Sequence, residues 1–242
     1  MFQLFPNFGL NRQNARPEMC LSPEESLVCV TDPNGPAAEA FRMLGVRLRD
    51  LRHDLQLRTI VITSTIPQEG KSTISANLAS VLTKNERQRV LLLEGDVRRP
   101  GLSKLFGLEG APGLCELLAG KLTHRACTTY LPAADLWIMP AGKSLGNPLE
   151  LLQSGRLNVL MSQLKESFDI VVIDSPPLLP LADTSIWMRL ADGVLLVTRT
   201  GTTAKRVLAK GLELLPASKL IGAIVNCSTN SSYSDYYYNP RY

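Results

Sequence analysis

Six short apolar runs, rich in Val, Ile and Leu, recur along the chain, and between most of them lie stretches of helical period. The runs are "TIVITST" (59–65), "RVLLLEGD" (89–96), "DLWIMPAG" (135–142), "DIVVIDSP" (169–176), "GVLLVTRT" (193–200) and "LIGAIVNCS" (220–228). Continuous apolar runs of this length are strands buried on both faces. "KSTISANLASVLTKNE" carries Ile74, Leu78, Val81 and Leu82 on one helical face, and helices are also expected over "SGRLNVLMSQLKESF" and near 203–215. Strand and helix in alternation predict a doubly wound α/β fold: a mostly parallel sheet with helices on both faces.

Ahead of the first strand, "PAAEAFRMLGVRLRDLRHDL" places Phe41, Leu44, Leu48, Leu51 and Leu55 at helical spacing, with Arg42, Arg47, Arg49 and Arg52 elsewhere on its surface. Residues 1–36 are rich in Pro, Asn and Ser and read as an irregular or partly ordered arm. The domain proper is expected over 37–228, followed by a tail, 229–242. That tail is unusual. The chain has six tyrosines, and Tyr233, Tyr236, Tyr237, Tyr238 and Tyr242 all fall in "YSDYYYNPRY". A polar terminus cannot easily bury them.

Composition excludes several classes. Hydrophobic residues make up 45% and charged residues 20% of the 242, an ordinary globular balance. A net charge of +4 does not call for nucleic acid. No apolar run approaches the roughly 20 residues of a membrane helix, and the start does not read as a signal peptide. Five scattered cysteines without a CxxC pair suggest reduced thiols in a cytoplasm. Two histidines exclude a His-rich metal cluster.

"TSTIPQEGKST" (63–73) lies between the first strand and its helix, where a phosphate-binding loop belongs. Thr65 takes the place of the first glycine of GxxxxGK[ST]. Pro67, Gln68, Glu69, Gly70, Lys71, Ser72 and Thr73 would form the cradle, since successive backbone N–H groups and a helix N-terminus make a concave anion site. Lys71 would reach the β- and γ-phosphates of ATP and Ser72 would ligate Mg²⁺. A plain Ser/Thr-capped turn is the bland alternative. Two further strands end in acids: Glu94 and Asp96 in "VLLLEGDVRRP", and Asp174 in "IVVIDSPP". Parallel strands deliver their carboxyl ends to one edge, so the three carboxylates are expected near Lys71. Asp96 and Asp174, with Ser72, are the candidate Mg²⁺ ligands. Asn226 ends the last strand and reads either as an adenine contact or as a turn cap. Arg98, Arg99 and Arg199 read either as stabilisers of phosphate charge or as solvated residues.

These motifs resemble the bacterial tyrosine kinases of capsule and exopolysaccharide systems. The family's SxxPxxGKST loop is matched by Ser64 to Thr73, its DxDxR strand end by Glu94, Asp96 and Arg98, and its IDxPP strand end by Ile173 to Pro177. The resemblance covers about residue 37 to the end. It implies an ATP- and Mg²⁺-dependent P-loop kinase, with Lys71, Glu94, Asp96 and Asp174 as catalytic residues, that phosphorylates its terminal tyrosines in trans. In the family, the first acid of DxDxR is a candidate base for the tyrosine proton; here it is Glu94. The family's ExxRxxR helix assembles subunits into a ring. Glu39 and Arg42 match it as oligomer contacts, whereas Gly45 replaces the second arginine. The resemblance further implies a cytoplasmic protein held at the inner face of the membrane by a membrane-anchored activator, with a tyrosine phosphatase as counterpart. The rivals are a positioning ATPase and a catalytically weak nucleotide-binding scaffold. The first carries an additional lysine where this chain has Ile66.

Overall fold

The computed structural model describes residues 27–84, 88–143, 146–179 and 182–227. Most of the arm and the tyrosine cluster of the tail lie outside them.

Seven strands form one sheet: β1 (Thr59–Ser64), β2 (Val90–Glu94), β3 (Thr129–Leu131), β4 (Leu136–Met139), β5 (Ile170–Asp174), β6 (Gly193–Arg199) and β7 (Leu220–Asn226), in the order β3-β4-β2-β5-β1-β6-β7. All pairs are parallel except β3 with β4, an antiparallel hairpin at one edge. The six expected strands are present. The additional one, β3, has only three residues, too short for a periodic signal.

Successive side chains on a strand point to opposite faces, and here both faces are buried. Leu91 and Leu93 join one hydrophobic cluster with Val171 and Ile173, while Val90 and Leu92 join the other with Ile170 and Val172. Each such fully buried side chain contributes roughly 1.5–3 kcal/mol, which is why these strands tolerate no polar residue until their carboxyl ends. Helix α3 (Lys71–Lys84) is buried all round from Ile74 to Thr83, wider than the single face expected. Its Ser75, Asn77 and Ser80 side chains donate back to the carbonyls one turn earlier, so no donor is stranded.

The N-terminal elements change two expectations. Helix α1 (Val28–Thr31) lies within the expected arm, yet Leu27 and Cys29 are buried and the Cys29 N–H donates to Asn77 Oδ1 at 3.0 Å. The packed unit therefore starts no later than Leu27, ahead of the expected boundary at residue 37. Helix α2 (Pro36–Leu55) buries Ala38, Gly45 and Leu48, but leaves Leu51 and Leu55 exposed. Gly45 sits where α2 crosses α3: a Cβ there would lie 2.8 Å from Val81 Cγ1. An arginine at that position could not fit without parting the helices. Glu39 and Arg42 pair with each other along α2, with Arg42 Nε donating to Glu39 Oε2 at 2.7 Å.

The remaining helices are α4 (Leu102–Leu105), α5 (Leu114–Leu118), α6 (His124–Cys127), α7 (Pro148–Gln153), α8 (Gly155–Ser167), α9 (Asp183–Leu190) and α10 (Lys205–Glu213). No described helix is long and apolar enough to cross a membrane.

Candidate active site

The carboxyl ends of β1, β2, β5, β6 and β7 meet around residues 65–73. Thr65 is buried, and its carbonyl accepts the Leu179 N–H at 3.1 Å. It does not have positive φ, so the chain turns there without the usual glycine. The turn is made instead at Gln68 (φ 67°) and Gly70 (φ 90°). Left-handed backbone of this kind suits glycine, and a Cβ on Gly70 would also strike Asn226 Nδ2 at 2.2 Å.

The loop is braced from beneath by Glu69, whose carboxylate is turned inward. It accepts the Ile66 N–H at 2.9 Å, the Arg199 N–H at 3.2 Å and the Thr203 hydroxyl. Its expected place in the phosphate cradle is thus limited to its backbone. Asn226 donates to the Glu69 carbonyl at 3.0 Å, and its Oδ1 accepts the Cys227 N–H. The side chain singled out for adenine holds the loop in place, nearer the turn-capping alternative. For Arg199, it is the backbone N–H that reaches the site, while the guanidinium is exposed.

Helix α3 begins at Lys71 and points its N-terminus, with unpaired N–H groups and partial positive charge, into this concavity. Lys71 Nζ lies 3.4 Å from Asp96 Oδ2. Asp96 Oδ1 accepts the Arg99 N–H at 3.0 Å. Asp174 is fully buried; its Oδ1 lies 3.3 Å from Ser75 Oγ, whose proton is shared with the closer Lys71 carbonyl, and its Oδ2 has no hydrogen-bond partner. Burial pushes its carboxyl up to about 7, with the Lys71 ammonium and the Ser72 hydroxyl pulling the other way and Glu94 and Asp96 adding to the rise.

The three strand-end acids differ in what holds them. Glu94 stands directly across from Asp174 in the sheet. Its side chain leaves the sheet on the same face as that of Asp174 and is taken up by the amides of Leu102, Ser103 and Ala141 and the Ser103 hydroxyl. Its burial pushes its carboxyl up, against the pull of those four donors. Glu94 and Asp96 both stand near enough to Asp174 for their charges to raise its carboxyl, as the expected convergence requires; four donors already occupy the Glu94 carboxylate, which weighs against its expected role as a base.

Arg98 also has a definite place. Its Nε donates to Asp183 Oδ2 at 2.6 Å and its Nη2 to Oδ1 at 3.3 Å, a two-pronged pair on a carboxylate that is 1% exposed. Four residues along α9, Trp187 donates its indole N–H to the Gly95 carbonyl at 3.1 Å. The Gly95 and Asp96 amides donate to the Asp174 carbonyl. Asp183 and Trp187 thus brace the turn that carries Asp96. Neither belongs to a sequence pattern that marks it.

An acid oxygen left unpaired in a dry site, a hydroxyl at Ser72 and an ammonium at a helix N-terminus fit a polyphosphate with a hard divalent cation. Among the described residues no group of three or more His, Cys, Asp and Glu side chains forms a metal cage. A cation here would therefore draw ligands from phosphate and water oxygens as well, as Mg²⁺ commonly does.

The AAA domain family model matches residues 57–219. Tyrosine-protein kinase YwqD of Bacillus subtilis is 34% identical over 217 residues, covering 89% of this chain and 91% of that protein. The succinoglycan biosynthesis transport protein ExoP of Rhizobium meliloti is 33% identical over 219 residues, 87% of this chain, which spans only 28% of ExoP. Among solved structures, the kinase domain of the Escherichia coli tyrosine kinase ETK superposes with a TM-score of 0.78 at 29% identity, over 83% of this chain and 79% of that one. With its P-loop, its acidic strand ends and this likeness along most of its length, the chain belongs to the bacterial tyrosine-protein kinases, within the AAA domain family.

Proposed function

We propose that this protein is an ATP- and Mg²⁺-dependent autokinase that phosphorylates Tyr233, Tyr236, Tyr237, Tyr238 and Tyr242 of a neighbouring copy. The observation that carries the reading is Lys71 at the N-terminus of α3, 3.4 Å from Asp96 and beside the unpaired oxygen of Asp174. ATP supplies the phosphoryl group. Lys71 and the 67–73 loop would bind its phosphates, and Ser72 with the buried Asp96 and Asp174 would hold the cation. The likeness to YwqD over nearly its whole length supports the kinase activity. The likeness to ExoP, a succinoglycan biosynthesis transport protein, supports a role in exopolysaccharide synthesis and transport. In this reading the protein works in the cytoplasm, at the inner face of the membrane, through a membrane-anchored partner. It assembles with itself and is reset by a tyrosine phosphatase. Each phosphate adds about −1.5 to −2 charges, so a modified tail is repelled from the acidic site edge and the oligomer loosens.

One observation favours a second reading, a nucleotide-binding scaffold: four donors already occupy Glu94, the expected base. A single experiment separates the two. Wild type, Lys71→Met and a chain lacking 229–242 are incubated with ATP·Mg²⁺ and the membrane partner's cytoplasmic segment, and phosphotyrosine is detected. Signal in wild type alone, restored when Lys71→Met is the acceptor for the tailless chain, supports the trans autokinase. Silence from wild type supports the scaffold.

A further inference from the structure

Four donors converge on one carboxylate at Glu94. Its Oε1 accepts the N–H groups of Leu102 at 2.6 Å and Ser103 at 3.0 Å; its Oε2 accepts the Ala141 N–H at 2.9 Å and the Ser103 hydroxyl. The first two amides belong to the opening turn of α4, whose N–H groups have no partner inside so short a helix. The third lies just beyond β4. Glu94, which ends β2, is therefore a cap supplied from a neighbouring strand, and it ties three elements together. Its length matters. Aspartate is shorter by one C–C bond, about 1.5 Å, and could not reach both sides of this gap with the backbone where it is.

What those bonds position lies one residue upstream of Leu102. Gly101 rests on Ser72: a Cβ at 101 would stand 2.7 Å from Ser72 Oγ. The height of the 101–103 turn over that hydroxyl is set by the pull of Glu94 on Leu102 and Ser103. We propose that Glu94 is a positioning residue, a clamp that closes Gly101 over Ser72 and so sets the affinity of the site for nucleotide with its cation. This rests on the nucleotide site proposed above, not on transfer to tyrosine.

The test measures ATP binding by calorimetry on the full chain, with Mg²⁺ and separately with chelator, alongside amide hydrogen exchange. Groups that orient metal ligands commonly cost 10- to 100-fold in affinity when lost. Glu94→Gln and Glu94→Asp are both expected to weaken ATP·Mg²⁺ binding about tenfold or more, to leave metal-free ATP within about twofold, and to speed exchange at Leu102, Ser103 and Ala141. Wild-type affinity in Glu94→Asp overturns the clamp, because a base would be served by the shorter acid and a clamp would not. Unchanged ATP·Mg²⁺ affinity in Glu94→Gln overturns it too. Should either variant fail to fold, Ser103→Ala removes one donor and leaves the acid in place; it must shift in the same direction by a smaller factor. The unaltered protein gives a further check, since rapid exchange at those three amides would refute the bonds themselves. None of these readouts needs phosphotransfer, so a protein without kinase activity still tests the role of Glu94.

Discussion

Lys71 Nζ and Asp96 Oδ2 stand 3.4 Å apart, with side chains only 12% and 3% exposed. Asp96 thus balances, within the protein, the same ammonium that phosphate would engage. Removing one partner of a buried pair leaves an uncompensated charge, which typically costs 3–5 kcal/mol. Because Lys71 keeps some contact with water and Asn retains a hydrogen-bond acceptor, Asp96→Asn is expected at or below the lower end of that range, about 3 kcal/mol in urea denaturation. The same change frees Lys71 for anions, so ADP without metal should bind at least as tightly as to wild type. Weaker metal-free ADP binding would contradict this balance.

Asn226 offers a test of how the loop is held. Losing its bond to the Glu69 carbonyl removes one hydrogen bond, about 1 kcal/mol. If the loop must then be re-formed on binding, Asn226→Ala weakens ATP roughly fivefold. Gly70→Ala should be worse, because it adds left-handed strain to a clash with Asn226. Calorimetry on the two single variants and the double variant checks this: the double should recover part of the Gly70→Ala loss, since the clashing amide is gone.

The buried Asp174 predicts a pH dependence. Its carboxyl titrates near 3.8 when exposed and is pushed up to about 7 by burial. Between those values the folded protein holds a proton that the unfolded chain has lost, so stability falls as pH rises through the window. The full effect is on the order of 4 kcal/mol at about 1.36 kcal/mol per pH unit. Urea midpoints of the metal-free, nucleotide-free protein from about pH 4.5 to about pH 7.5 should decline, and the decline should be shallower in Asp174→Asn. Parallel curves for the two would refute the assignment.

The thiols give a simpler contrast. Burial pushes Cys29 and Cys115 up to about 11 and Cys127 up to about 12, so none forms thiolate readily near neutral pH. Cys227 is exposed. Iodoacetamide at about pH 8, followed by peptide mass mapping, should modify Cys227 well ahead of those three. Fast labelling of Cys127 would mean that the packing around it is wrong.

Much of the site can be read from the sequence. Lys71, Ser72, Asp96 and Asp174 lie at strand–helix junctions whose period announces them, and parallel strands bring such junctions to one edge whatever the rest of the chain does. Asp183, Trp187 and Gly101 could not be found that way. Arg98 and Asp183 are 85 residues apart, and neither stands in a pattern that names the other. Gly45 reads as a defect in a helix motif until α3 is seen to press Val81 against it.

The sequence by itself determined the order of elements, the sheet of parallel strands and the presence of a phosphate loop, because hydrophobic period and turn chemistry are local properties. The direction taken by each polar side chain was decided by the tertiary structure. Glu94 and Asp174 face each other in register at the ends of adjacent strands. One keeps an unpaired oxygen in the site; the other is consumed by four donors arriving from α4 and the end of β4. A buried carboxylate turns to wherever donors can replace its lost water, and which donors stand nearby depends on how distant segments pack.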